Sequence, residues 1–285
     1  MLTRVLRFLR CPVCQRSLSA TAEARTLRCA AGHSFDIARP GYLPLLAGPL
    51  RHPGDPATAV AARAAFLTSG AYEPVATALA TAAGEANGFV VDVGAGTGYH
   101  LARVLAARPR ALGLAVDTSK PALRRAARAH PRMAAVLADV WRPLPLADGV
   151  AALLLNVFAP RNGAEFARVL APGGRLLVVT PAPDHLAEVG AAVRHAPGVR
   201  WLRIDPEKPA RVAADLARWF ASEAQEHIRY QVGLTRVQLA WLVTMGPSGQ
   251  HTAPDALAQA LTGVPEPLPV TVSVQLGQYR RTDRS

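Results

Sequence analysis

Beyond residue 29 the 285-residue chain contains no cysteine; its three cysteines are Cys11, Cys14 and Cys29. Thiol chemistry is therefore confined to the first tenth of the sequence. Lysine is nearly absent as well, occurring only at Lys120 and Lys208, while Ala, Arg, Pro and Gly are heavily used. That imbalance resembles the coding bias of a GC-rich genome more than a structural requirement. No apolar run reaches the roughly 18 residues expected of a membrane-spanning helix. The opening MLTRVLRFLRC alternates apolar and basic residues and lacks an h-region and a small-residue cleavage site, so no secretory signal is expected. No internal repeat is present. Half of the residues are hydrophobic, enough for a substantial core.

What is abundant is positive charge, a net +12 with an isoelectric point near 10.8. Such an excess suits a polyanionic partner, through phosphate neutralisation and electrostatic steering; arginine drift on a solvated surface is the alternative. The cysteines have a pattern of their own. Cys11 and Cys14 form CPVC, and Cys29 with His33 forms CAAGH after a 14-residue gap. Pairs at these spacings, each on a tight turn, can reach one tetrahedral ion. Four good ligands leave no open position, so a structural zinc is expected, holding a segment too short to build a core alone. Reduced, metal-ligating thiols predict a cytoplasmic protein.

Three segments are expected: a zinc-binding module over 1–45, a linker and helical segment over 46–85, and an α/β domain over 86–285. The linker AGPLRHPGDP is rich in helix breakers. Helices are predicted over 57–69 and 73–84, with Gly70 and Pro74 punctuating the break. From residue 88 apolar strands alternate with amphipathic helices, at 89–94, 112–117, 133–140, within 149–158, and 173–181. This alternation predicts a parallel sheet covered on both faces. Helices near 209–221, 235–244 and 254–262 and strands at 225–234 and 269–279 complete the tail.

VVDVGAGTGYH places Gly94, Gly96 and Gly98 between a strand and a helix, where the backbone must turn sharply and admit a ligand at the helix start. Asp92 precedes the first glycine by two residues, and Tyr99 rules out the strict GxGxxG of nicotinamide enzymes. Asp117 ends the next strand, where a carboxylate can hold ribose hydroxyls. The set suits S-adenosylmethionine and looks like a class I, Rossmann-like methyltransferase. In that likeness VLADV places Asp139 at the adenine amino group and Val140 beside the ring, and LAPGGRLLVVTP closes the cofactor side.

With the CPVC and CAAGH pairs in front, the chain resembles the RlmA-type 23S rRNA (guanine-N1)-methyltransferases, and within them the macrolide-resistance branch. The shared blocks include GHSFDIARPGYLPLL, AARAAFLTSGAYEP, VVDVGAGTGYH, ADVWRPLPL, LNVFAPRN and MGPS. The resemblance implies Cys11, Cys14, Cys29 and His33 as ligands of one Zn2+, and Tyr72, His100, Leu101 and His185 as positions touching the cofactor. Tyr72 can otherwise staple a helix start, Leu101 contribute only packing, and His185 cap a helix. NVFAP, with Asn156, Phe158 and Pro160, stands at the target-binding motif, so Asn156 falls at the cofactor and Phe158 is either a stacking surface for a flipped guanine or wall.

The family implies a homodimer, a 23S rRNA hairpin-35 loop as substrate (position 748 over 745), macrolide resistance, and no membrane partner. The zinc-module arginines Arg4, Arg7, Arg10, Arg16, Arg25, Arg28 and Arg39 are the expected RNA clamp, with MGPSGQH a candidate substrate lip. Asp55, Asp184 and His185 are candidate acceptors for the guanine N1 proton, with Arg161 beside O6; no spacing selects one. A small-molecule methyltransferase of antibiotic biosynthesis would explain the glycine loop but neither the cysteines nor the charge. A non-catalytic RNA-binding protein on the same fold would bind the cofactor without transfer.

Overall fold

In the computed structural model, residues 1–21, 25–84, 87–199, 201 and 204–282 are described, without the side chains of Pro209, Gln250 and His251. A short helix α1 (Leu2–Val5) leads into three antiparallel strands, β1 (Leu18–Ala20), β2 (Thr26–Cys29) and β3 (Ser34–Asp36), which form a ribbon of their own. Strand β4 (Leu43–Pro44) then pairs in parallel with β7 (Met133–Leu137) of a larger sheet. These residues stand at the end of the expected zinc-binding module. They form an edge strand of the second sheet.

The eight strands run in the order β10-β11-β9-β8-β5-β6-β7-β4. Strands β5 (Phe89–Val93), β6 (Leu112–Asp117), β8 (Ala151–Val157) and β9 (Leu170–Pro181) join β4 and β7 in parallel. Strands β11 (Leu268–Arg281) and β10 (Phe220–Leu234) are added antiparallel. The expected sheet is thus parallel at its centre and mixed at one side. Apolar strands buried on both faces are the reason, as in β5 and β7, where every residue is buried.

Alternate residues of each strand serve two cores. Val90, Ala115 and Leu155 face α2 (Ala57–Thr68), α3 (Glu73–Ala82), α4 (Tyr99–Ala106), α5 (Lys120–Ala129), α7 (Ala187–Val193), α9 (Arg236–Met245) and α10 (Pro254–Thr262). Val91, Leu114 and Leu154 face α6 (Gly163–Val169) and α8 (Lys208–Leu216). The helical segment predicted between module and domain is therefore part of the domain's own core. Helix α7 was not expected, being only seven residues and opened by Leu186 in the left-handed region at φ 59°.

The connection from β7 to β8 contains no helix, and the chain's N-terminus covers the sheet there. Val5 and Leu9 are fully buried in the second core with Leu144 and Leu146. Leu9 bridges Leu146, the Arg10 N–H donates to the Pro145 carbonyl, and the Ala147 N–H donates to the Phe8 carbonyl, both at 2.9 Å. Phe8 stacks on Phe89 with ring centres 4.3 Å apart. The ribbon is therefore packed on the sheet through a continuous apolar core. Among the described residues no helix is long and apolar enough to cross a membrane.

Candidate functional site

The knuckle CPVC turns on Gln15, whose φ of 58° folds the chain back to Cys11, the Gln15 N–H donating to the Cys11 carbonyl at 2.8 Å. Strand β2 delivers Cys29 and the turn after it delivers His33. Ligand atoms of Cys11, Cys14, Cys29 and His33 all lie within 4.8 Å of one another. Cys14 Sγ is 3.7 Å from Cys29 Sγ, and His33 Nδ1 is 3.3 Å from Cys29 Sγ and 3.6 Å from Cys11 Sγ. A tetrahedron with Zn–S bonds of about 2.3 Å has sulfur–sulfur edges of about 3.8 Å. The four groups therefore fit one zinc ion with no vacant vertex. Burial raises the Cys29 thiol, but hydrogen bonds from His33 and from the backbone outweigh it and bring it to about 6. A low-pKa thiol is what a metal site asks of its ligand.

The second cluster lies at the carboxyl ends of β5 to β9. Gly94, Gly96 and Gly98 have φ of 78°, 54° and 78°, a region side chains avoid. At Gly94 the reason is also spatial. A Cβ there would lie 2.3 Å from the Cβ of Ala159, so the glycine loop and the NVFAP loop touch directly. Asp117 accepts from the Gly96 N–H at 2.8 Å and the Ser119 N–H at 2.7 Å. Asp92 is buried and its Oδ1 has no protein partner; burial and the neighbouring Asp117 push its pKa up to about 8. His100 Nδ1 is likewise unpartnered, and burial brings this imidazole down to about 4. Orphaned polar atoms beside a left-handed glycine turn are what a polar ligand at a helix start would satisfy. The residues fit S-adenosylmethionine. Leu101 is fully buried and packs on Gly113, so its side chain serves the core.

Asp139 and Val140 follow β7, both buried. The Asp139 carboxylate accepts from the Trp141 N–H at 3.0 Å and the Arg51 N–H at 3.1 Å. A cavity of about 290 Å³ adjoins it, bounded by Pro12 of the knuckle, Leu45, Arg51, Arg142 and Pro143. Asn156, expected at the cofactor, lies at the end of β8 with its side-chain amide engaged by the protein. It is wholly buried, and its Nδ2 donates to the carbonyls of Val93 and Pro160 at 3.1 and 2.9 Å. With both N–H bonds given to the protein, Asn156 braces the loop that carries Phe158. Phe158 itself has φ of 52° and is 41% exposed, a strained and open aromatic of the kind found at functional sites.

Tyr72, Phe158 and His185 form a triangle with ring centres 6.0 to 6.1 Å apart. His185 Nδ1 accepts the Ser273 N–H at 3.1 Å, which fixes the proton on Nε2, 3.0 Å from the Tyr72 hydroxyl. Burial brings His185 down to about 4 and pushes the Tyr72 phenol far up. With Nδ1 already bonded and Nε2 protonated, His185 is not poised to take a proton. Asp184 is held below the usual carboxylate range by Ser273 and by Arg229, 2.9 Å away. Asp55 pairs with Arg63 at 2.5 Å on the cofactor side, its carbonyl accepting from Ser119 Oγ at 2.7 Å. Arg161 donates to Ala159 O at 3.1 Å, beside Phe158.

The helix breakers of 47–56 predict a linker. The structure makes it a wall of the site: a Cβ on Gly54 would lie 2.3 Å from Ser119 N, and Arg63 joins Asp55 to the Met245 carbonyl, 2.7 Å away. The only hint was a glycine set between prolines in HPGDP. Met245 opens the MGPSGQH segment; its Gln250 and His251 side chains lie outside the described residues.

Residues 9–52 match the RlmA N-terminal zinc-ribbon family, and residues 90–174 match a methyltransferase-domain family. The chain is 50% identical over 295 residues, 97% of this chain and 98% of the relative, to a Micromonospora griseorubida protein assigned to the 23S rRNA (guanine-N1)-methyltransferases. It is 50% identical over 279 residues, 96% of this chain and 97% of the relative, to the 23S rRNA (guanine(748)-N(1))-methyltransferase of Streptomyces fradiae. A structure solved in work on conversion of a disulfide bond into a thioacetal group during echinomycin biosynthesis aligns with a TM-score of 0.52 at 17% identity, over 74% of this chain and 83% of that one, which shows the fold alone. Ribbon, methyltransferase sheet and full-length identity converge, and the chain belongs to the 23S rRNA (guanine-N1)-methyltransferases with an RlmA-type zinc ribbon.

Proposed function

We propose that this chain methylates N1 of guanosine 748 in the hairpin-35 loop of 23S rRNA and thereby confers macrolide resistance. The observation that carries the reading is the 50% identity to the guanine-748 enzyme, which spans almost the whole of both chains. S-adenosylmethionine, when bound, supplies a sulfonium methyl for in-line displacement. The protein's part is alignment. In this reading Gly94, Gly96, Gly98, Asp92, Asp117, His100, Asp139 and Val140 line the donor side, and Asn156 holds the acceptor loop. Phe158 offers a face to the extruded base. Tyr72, held by neutral His185, remains a phenol with its own proton, and Arg161 adds positive charge at the Ala159 carbonyl, next to Phe158. Both suit the O6 of a guanine losing its N1 proton.

The zinc-binding segment over 1–45 is the RNA-recognition module in this reading. Arg4, Arg7, Arg16, Arg25, Arg28 and Arg39 are exposed, and none forms an ion pair among the described residues. Unpaired guanidinium groups are ready phosphate partners. The protein acts in the cytoplasm, where its rRNA is, and as a homodimer. Primer extension on 23S rRNA from cells with and without the chain tests the proposal. A new stop one nucleotide before guanosine 748 is the expected result, and unchanged rRNA in a competent host refutes it.

A further inference from the structure

Among the described residues four large apolar side chains are exposed: Val13, Trp141, Phe158 and Val237. Phe158 belongs to the candidate site. Trp141, 44% exposed, follows β7 at the same end of the sheet. The two loops are tied together, Asn162 Nδ2 donating to the Val140 carbonyl at 2.9 Å. An indole in water is unusual for a residue this large. Its backbone is nevertheless fixed on both sides. The Trp141 and Arg142 N–H groups bond to Asp139, each at 3.0 Å, and Arg142 Nη2 donates to the Pro49 carbonyl at 2.8 Å. Neither Arg142 nor Arg51, which adjoin the same cavity, forms an ion pair among the described residues. A solvent-facing indole on a fixed backbone, next in sequence to Arg142 and joined through Asp139 to Arg51, is the pattern of a single-stranded nucleic-acid platform, where stacking and phosphate neutralisation act side by side.

We infer that Trp141 stacks on an unpaired base flanking the target guanosine, with Arg51 and Arg142 against its phosphates. The inference rests on the rRNA reading above. It adds a second point of base capture, on the rim between Phe158 and the zinc knuckle. One base would be held for reaction and its neighbour held away, which keeps the loop splayed.

The experiment uses the zinc-loaded full-length protein, a labelled hairpin RNA with the target loop, and S-adenosylmethionine titrated separately. Trp141→Ala is expected to weaken hairpin binding about tenfold, with Trp141→Phe losing much less, because a phenyl still stacks. Affinity for S-adenosylmethionine should change less than twofold. Replacing one flanking loop base with an abasic residue should weaken the wild type by a similar factor and leave Trp141→Ala unaffected. Arg51→Gln with Arg142→Gln should lower the salt dependence of binding by about one to two ions. Hairpin affinity of Trp141→Ala equal to wild type overturns the inference and leaves the methyltransferase reading standing. So does a loss of S-adenosylmethionine affinity matching the loss for RNA, which would make Trp141 a wall of the donor pocket. A wild-type protein that neither binds nor methylates the hairpin overturns the underlying reading instead.

Discussion

His185 Nε2 lies 3.0 Å from the hydroxyl of Tyr72, and because His185 Nδ1 already accepts the Ser273 N–H, the proton between them belongs to the histidine. Tyr72 therefore accepts from His185 and keeps its own hydroxyl proton. Tyr72→Phe keeps the ring contacts and removes only the donor. It is expected to lower kcat on the hairpin about ten- to hundredfold with little change in S-adenosylmethionine affinity. Equal kcat values for the two proteins would remove Tyr72 from the reaction.

The same buried imidazole makes a pH prediction. A histidine whose pKa falls from 6.5 to about 4 on folding favours the folded state in its neutral form. Its contribution is complete above pH 6.5 and is lost as the pH falls towards 4. Urea unfolding of wild type and His185→Asn should differ by a constant amount from pH 7 to 9, and the difference should shrink below pH 6. A difference that grows on acidification contradicts the assignment.

Asp92 has the opposite sign. Its pKa, raised to about 8, favours the folded state while the carboxyl is protonated. That contribution is full below pH 4 and is lost as the pH rises through 8. Without ligand, Asp92→Asn should be more stable than wild type at pH 8 and indistinguishable at pH 4. Equilibrium unfolding across that range checks it, and parallel curves would count against a protonated Asp92.

Gly94 and Ala159 make the glycine loop and the NVFAP loop a single unit. Gly94→Ala is expected to abolish methylation and destabilise the protein, since neither loop can yield alone. Gly94→Ala with Ala159→Gly removes the contact and should recover part of the stability. It should remain below wild type by about 1 kcal/mol or more, because the left-handed φ persists. No recovery in the double variant would show that the backbone angle alone decides.

Zinc removal should be felt beyond the ribbon. Val5, Leu9, Cys11 and Cys29 share one core with β5 to β9. Cys29→Ser is expected to lose the single zinc per chain and to lower the melting temperature of the whole protein in one transition. Two independent transitions in calorimetry would separate ribbon from sheet.

The metal cluster and glycine loop were legible because each is local, its residues close in sequence and their spacing set by a tight turn. The succession of strands β5 to β9 along the chain, and their parallel pairing, was legible for a similar reason, since apolar runs alternate with helices. What the sequence concealed is what distant segments do to each other. The breakers in 47–56 signal a loop without saying that Gly54 lies on Ser119. Leu43 and Pro44 are too short a strand to carry a periodic pattern. Nothing in NVFAP says that Asn156 ties its loop to Val93 and Pro160. His185 reads as a possible base, and only the distant Ser273 fixes its proton.

The bridge from Leu9 to Leu146 also has a temporal consequence. Residues 1–10 leave the ribosome well before residue 146, their apolar partner, has followed. At about 5–20 residues per second this is a wait on the order of ten seconds. During synthesis the knuckle must shelter its own hairpins, and a metal captured early would keep the nascent head from sticking to its neighbours.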